Sequence, residues 1–202
     1  MQSPESYYVS PLTRCLQTAY HTFHGLSLPH SSPFLPMVKE FMREGISIRT
    51  CDHRSSVSKI RSMFPAYRID ASLSENDGLW SGLYSETPSE QDQRSRSALD
   101  DVFQHDKSAI VSITSHGGEV ASLLRTLGHR PFPLRTGAII PVLVRAKTVK
   151  DEPTCTGPAA RKLASWCANG PPISSETSGA RQCVCSNGVK PTPALAAPTR
   201  LP

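Results

Sequence analysis

Hydrophobic positions along the chain switch between two periods, and the switches mark the elements. Tyr7-Tyr8-Val9 is a short apolar run closed by Ser10-Pro11, which predicts a strand. Leu12, Leu16, Ala19, Tyr20 and Phe23 then recur at helical spacing, which predicts a helix over residues 13–24. Gly25, Pro29, Pro33 and Pro36 end it and make a loop. Met37-Val38-Lys39 reads as a second short strand. Residues 40–56 are polar and without a clean period, the pattern of a functional loop and not of a core element. A short helix with serines at its start is predicted over 55–64, and a loop anchored by Trp80 over 65–88.

Thr87-Pro88-Ser89-Glu90 combines a capping threonine, a proline at the first helical position and an acid three residues after the cap, so a helix should run to about residue 104. Ala109 to Thr114 is nearly continuous in apolar residues and predicts a strand buried on both faces. Gly117-Gly118 turns the chain into a helix over 119–127, with Val120, Leu123, Leu124 and Leu127 on one face and Gly128 past its end. "GAIIPVLVRA", residues 137–146, reads as a last strand whose Pro141 places it at an edge or a bulge. Strands alternating with helices predict an α/β domain over residues 1–146, a mostly parallel sheet with helices on both faces. From residue 147 the periodicity stops and eight prolines fall in 56 residues, so 147–202 is expected to be a disordered tail.

Composition narrows the setting. No run of 18 apolar residues is present to cross a membrane, and "MQSPES" has neither the basic nor the apolar part of a signal peptide, so a soluble protein of the cytoplasm or nucleus is expected. The net charge of +5 is uneven: residues 1–146 carry 15 Lys+Arg against 14 Asp+Glu, residues 147–202 carry 7 against 3. The basic balance therefore belongs to the tail, no basic patch interleaved with aromatics is visible, and nucleic acid is not an expected partner. Cys155, Cys167, Cys183 and Cys185 lack the paired spacing of a zinc site, so neither a metal nor another cofactor is called for.

Chemistry gathers at two strand-to-helix turns, Ser10-Pro11-Leu12-Thr13-Arg14 and Ser115-His116-Gly117-Gly118. In open α/β sheets ligands sit beyond the carboxyl ends of the strands, where helix N-termini offer unpaired N–H groups to an anion. Arg14 adds a donor fork suited to phosphate or carboxylate, and His116 a ring that changes charge near neutral pH. Glycines after the histidine would let the backbone approach a ligand closely. These are the parts of a phosphate pocket.

"YVSPLTRCLQTA" resembles the SPLxRxxQTA signature of the histidine phosphatase superfamily, the phosphoglycerate mutase-like proteins, and "IVSITSHGG" resembles its second signature. "FMREGISIRTCDHRSSVSKIRSMFP", "SENDGLW" and "SETPSEQDQRSR" between them are similar to the fungal phosphomutase-like branch and its plant relatives. The resemblance covers residues 7–146. It implies phosphoryl transfer from a phosphorylated small molecule through a phosphohistidine, with phosphatase more than mutase activity. Arg14 then matches the phosphate-binding arginine and His116 the second histidine, which bonds the transferring phosphoryl group. Glu44 matches the general acid/base, with Glu40, one helical turn earlier, as its competitor. Asp52, Arg54 and Arg43 are the residues implied on the substrate side.

One part of the pattern is not found. An Arg-His-Gly motif carrying the nucleophile precedes SPLxR in the superfamily, and no such triplet occurs in the 202 residues; Gly128-His129-Arg130 has another order and follows the second signature. The expectation is a chain without the first strand and without a nucleophile, with unpaired apolar edges on Tyr7–Val9 and Ala109–Thr114. Such a chain is either an incomplete phosphatase or a non-catalytic module that binds a phospho-ligand or a protein.

Overall fold

A computed structural model of the chain describes residues 3–130 and 133–147. Its first strand, β1 (Ser6–Val9), lies inside a four-stranded parallel sheet. β2 (Met37–Val38) flanks it on one side, pairing Tyr8 with Met37 and Val9 with Val38. β4 (Val111–Thr114) flanks it on the other, in a register running from Ser6–Val111 to Val9–Thr114. Beyond β2 lies β3 (Arg68–Ile69), a two-residue strand with no apolar run to announce it. β1 is thus paired on both sides, which corrects the expectation of an open edge at Tyr7–Val9. β4 ends the sheet among the described residues, and all four of its residues are half-buried, less than the double-sided burial expected of it.

Helices cover both faces, as alternation along β1 requires. Val9 and Val38 join Cys15, Leu16 and Ala19 of α1 (Thr13–Phe23) and Val57 and Ile60 of α2 (Val57–Met63) in one core cluster. Tyr7 is on the same side, with Phe23 and Phe34 edge-on to its ring at 4.9 and 5.2 Å. Tyr8, Val111 and Ile113 look the other way and pack with Met42 and with Ala98 and Val102 of α3 (Pro88–His105). α4 (Gly117–Thr126) packs against α3 and buries Leu123 and Leu124.

Local chemistry sets where these helices start. The Ser56 side chain accepts from the Lys59 N–H at the head of α2. Thr87 and Glu90 form a reciprocal capping box on α3, with Pro88 at the first position. Gly128, with φ at 73°, turns the chain after α4. Residues 40–56 stay irregular apart from single helical turns at Glu40–Met42 and Thr50–Asp52. The strand expected over 137–146 does not form. A turn closes from Ala138 N–H to the Arg135 carbonyl, and Ile139 and Leu143 beyond it are 80% and 79% exposed. An apolar run becomes a strand only where a sheet edge accepts its backbone bonds, and this segment has no ladder partner among the described residues. The tail expectation falls almost wholly outside the described residues.

Candidate active site

Register places the two signature turns together. Val9 pairs with Thr114, so the residues after them leave the sheet side by side, and the Ser10 N–H donates to the Thr114 carbonyl. α1 starts three residues after Ser10, and α4 starts directly after His116. Two helix N-termini therefore meet at the carboxyl edge of adjacent parallel strands, where unpaired N–H groups gather.

His116 sits at that meeting point, 8% exposed. Its ring bonds fix its tautomer. The Arg14 Nε–H donates to His116 Nδ1 at 3.1 Å, so Nδ1 carries no hydrogen and the proton is on Nε2, which donates to Ser10 Oγ at 2.7 Å. Ser10 Oγ also accepts from the Leu12 N–H at 3.3 Å, which locks the turn. Burial, then the charges of Arg14, Arg43 and Arg94, take the imidazole from 6.5 down to about 3, so the ring is neutral at physiological pH. Cys15 lies against it, with Sγ 3.4 Å from Nε2, and its S–H donates to the Ser115 carbonyl. Burial pushes that thiol up to about 12, so it is a neutral donor and no thiolate nucleophile.

Arg14 keeps its guanidinium at the surface, with a side chain 46% exposed. Besides the bond to His116, it donates through one terminal nitrogen to the Cys51 carbonyl at 2.6 Å and lies 3.6 Å from Asp52 Oδ1 through the other. Asp52 itself is buried and accepts from Ser47 Oγ at 2.5 Å. The cation therefore bridges the α4 turn and the 47–54 loop while one face stays open to solvent.

Glu44 and Glu40 have different surroundings. Glu40 is buried between Arg43, at 2.9 Å, and Arg54, at 2.7 Å. Among the described residues Glu44 is paired with no arginine; its carboxylate accepts from the Gly45 N–H at 3.0 Å and, across the fold, from the Gly118 N–H at 3.4 Å in the first turn of α4. That approach is close enough that a Cβ on Gly118 would lie 2.3 Å from Glu44 Oε1. Gly118 thus admits a carboxylate of the chain itself, while the space beside Gly117 is open.

Arg43 and Arg54 are fully buried and hold the loop together. Arg43 grips Asp77 with both terminal nitrogens, at 2.8 and 2.7 Å, and reaches the Asp52 carbonyl. Burial opposes the charge on Asp77, but Arg43 and the Arg54 and Trp80 N–H groups hold its carboxyl well below the usual range. Arg54 donates to the carbonyls of Ser55, Ser74, Glu75 and Asn76. Arg43 Nε is the buried side-chain donor left without a partner among the described residues. Trp80 anchors the same region, donating to the Arg49 carbonyl, with its ring 4.8 Å from that of His53 and tilted 56° to it. Among the described residues no group of three or more His, Cys, Asp or Glu is arranged to hold a metal ion, and no helix is long and apolar enough to cross a membrane.

Several members of this site are not visible in the signatures. Cys15 is hidden by its small apolar character beside Arg14. Arg94 on α3 and Glu119 on α4 lie outside both signature turns, yet their side chains are 7% and 0% exposed.

The α/β sheet joins a histidine and an arginine at adjacent strand ends, and the relatives of the chain are named as phosphoglycerate mutase-like or phosphomutase-like proteins. A probable phosphoglycerate mutase of Arthroderma benhamiae is 50% identical over 150 residues, 74% of this chain and 45% of the relative. Phosphomutase-like protein 3 of Candida albicans is 34% identical over 169 residues, 83% of this chain and 52% of the relative. Phosphoglycerate mutase-like protein 1 of Arabidopsis thaliana is 28% identical over 146 residues, 61% and 51%. The chain belongs to the phosphoglycerate mutase-like branch of the histidine phosphatase superfamily. It spans about half the length of the curated relatives it matches. No family model and no solved structure matches it.

Proposed function

We propose that this chain binds the phosphoryl group of a phosphorylated small molecule between Arg14 and His116, with Glu44 as the acid/base for the leaving oxygen. The observation that carries the reading is the Arg14–His116 bond at the shared carboxyl edge of β1 and β4, with Glu44 reaching the same α4 N-terminus. Phosphoryl transfer asks chiefly for positioned donors around spreading negative charge. A half-exposed guanidinium is such a donor, and the neutral imidazole becomes one when its Nε2–H turns from Ser10 Oγ to the ligand. A bound phosphate would draw the Arg14 fork away from Cys51 and Asp52 at the loss of one carbonyl bond and a loose ion pair. Glu44 suits proton transfer better than Glu40, whose carboxylate is committed to two arginines. Arg43 and Arg54 shape the substrate side from within the loop, Asp52 steers Arg14, and Arg43 Nε is left for a ligand oxygen or a water.

The bonds of Arg14 and His116 reach no second histidine among the described residues. That favours phosphate binding over phosphohistidine turnover as the act this chain performs by itself, as a non-catalytic phospho-ligand module would. Titration calorimetry with inorganic phosphate tests the reading. Binding is expected in the parent chain, weakened at least tenfold in Arg14→Ala and in His116→Ala. A folded parent chain that takes up no phosphate at millimolar concentration would overturn it.

A further inference from the structure

Residues 41–44 have a single helical turn and no ladder, yet each of their carbonyls is captured by a side chain. Arg94 of α3 donates to Phe41 O at 2.7 Å, Arg43 O at 3.1 Å and Glu44 O at 3.3 Å. Ser115, next to His116, donates to Met42 O at 2.7 Å. The other contacts of Arg94 fix its own place. Its Nε and a terminal nitrogen meet the two oxygens of Glu86 at 2.9 Å each, and the remaining terminal nitrogen lies 3.2 Å from Glu119 Oε2. Glu86 also accepts from the Ile46 N–H, so the segment is held beyond Glu44 as well. Glu119 directly follows Gly118, the residue whose N–H meets the Glu44 carboxylate. It is completely buried, with Ser95 and Gln91 donating to it.

One guanidinium therefore spans the backbone that carries Glu44 and the helical turn that receives the Glu44 side chain. We infer that Arg94 is the positioning residue of Glu44: anchored by Glu86 and Glu119, it sets the distance between Glu44 and the α4 N-terminus beside His116. The inference rests on the reading of Glu44 as the acid/base only for its functional meaning; the geometric claim stands apart from it. Only a planar fork with five donors reaches three carbonyls and two carboxylates together. A lysine keeps the buried charge but cannot span them.

Amide NMR on the full chain tests this. At constant pH, Glu44→Gln should shift the Gly45 and Gly118 N–H signals, since both groups donate to the Glu44 carboxylate. In Arg94→Lys and Arg94→Gln backgrounds the Gly118 shift caused by Glu44→Gln should fall by half or more while Gly45, bonded within its own turn, keeps responding. A role in fold stability alone would leave that Gly118 response unchanged in any folded variant. Arg94→Lys, folded and with the parental Gly118 response to Glu44→Gln, overturns the inference. Glu86→Gln offers a milder loosening of the same clamp, and a parental Gly118 response there counts against it too. Phosphate titration separates the two claims: absent phosphate binding with an Arg94-dependent Gly118 response sinks the proposed function and leaves the positioning role intact.

Discussion

Lowering the pH from 6.5 to 5.0 should barely change the stability of this chain, because two buried groups titrate against each other. His116 is taken from 6.5 down to about 3, chiefly by burial and then by three arginines. Between those values an unfolded chain binds a proton at this residue that the folded chain does not, so the folded state loses stability as pH falls. Over 6.5 to 5.0 the loss is about 2 kcal/mol, from ~1.4 kcal/mol per unit with rounding near the unfolded pKa. Glu119 is raised from 4.5 to about 7, with burial outweighing Arg94, Ser95 and Gln91. Here the folded chain holds the extra proton, and the same pH step adds about 2 kcal/mol of stability. The lowered carboxyls of Asp70, Asp77, Asp92 and Asp106 lose their contribution only at lower pH, and Cys15 titrates far above the window.

Two variants separate the opposing slopes. Glu119→Gln removes the compensating proton, so its stability should fall by about 2 kcal/mol between pH 6.5 and 5.0. His116→Gln should become about 2 kcal/mol more stable over the same step. Urea melts at half-unit intervals, read at constant m, measure both. A flat profile in Glu119→Gln would refute the reasoning: His116 would then not be held neutral, and the tautomer assigned from its bonds to Arg14 and Ser10 would fall with it.

Four further outcomes are expected. Gly118→Ala should change stability by no more than about 1 kcal/mol, because helix propensity gains what the displaced Glu44 contact loses, while the amide at position 118 no longer shifts on Glu44→Gln. Thr87→Ala should lower urea-melt stability by about 1 kcal/mol through loss of the capping box on α3. Thr114 O and Ile110 O bond toward β1, so alternation turns the N–H and C=O of Val111 and Ile113 to the open edge; size exclusion should show concentration-dependent association of the chain that Ile113→Pro reduces, and a monomer at all concentrations would count against this. Incubation with a labelled phosphomonoester should leave no acid-labile label on the 202-residue chain; label that disappears in His116→Ala would show His116 to be a nucleophile instead of a donor.

The elements legible in the sequence are those whose signal is local. Thr87, Pro88 and Glu90 state a helix start by themselves, and the spacing of Leu16, Ala19 and Phe23 states a buried helix face. The signature turns were legible for the same reason, since a strand end followed by a helix puts Arg14 and His116 where an anion would sit. What the sequence could not carry is pairing between distant segments. β3 is two residues long and exists because Pro36 O and Val38 O accept from Arg68 and Asp70; the stronger apolar run over 137–146 has no such acceptor and stays out of the sheet. The same limit hides the interior of the site. Glu40, Arg43 and Arg54 are legible as site candidates but not as buried, and Arg94 and Glu119 belong to neither signature turn; Arg43, Arg54, Arg94 and Glu119 are buried against partners from other segments. Buried charge is tolerated only in satisfied networks, and a network of arginines on backbone carbonyls specifies a loop shape that no periodicity encodes. The loop that carries Glu44 is therefore held by Ser115 of the second signature together with Arg94, Glu86 and Asp77, which lie outside both signatures. On the proposed reading, a relative that kept both signatures but lost Arg94 or Asp77 should bind phosphate at Arg14 and His116 while leaving the counterpart of Glu44 unplaced.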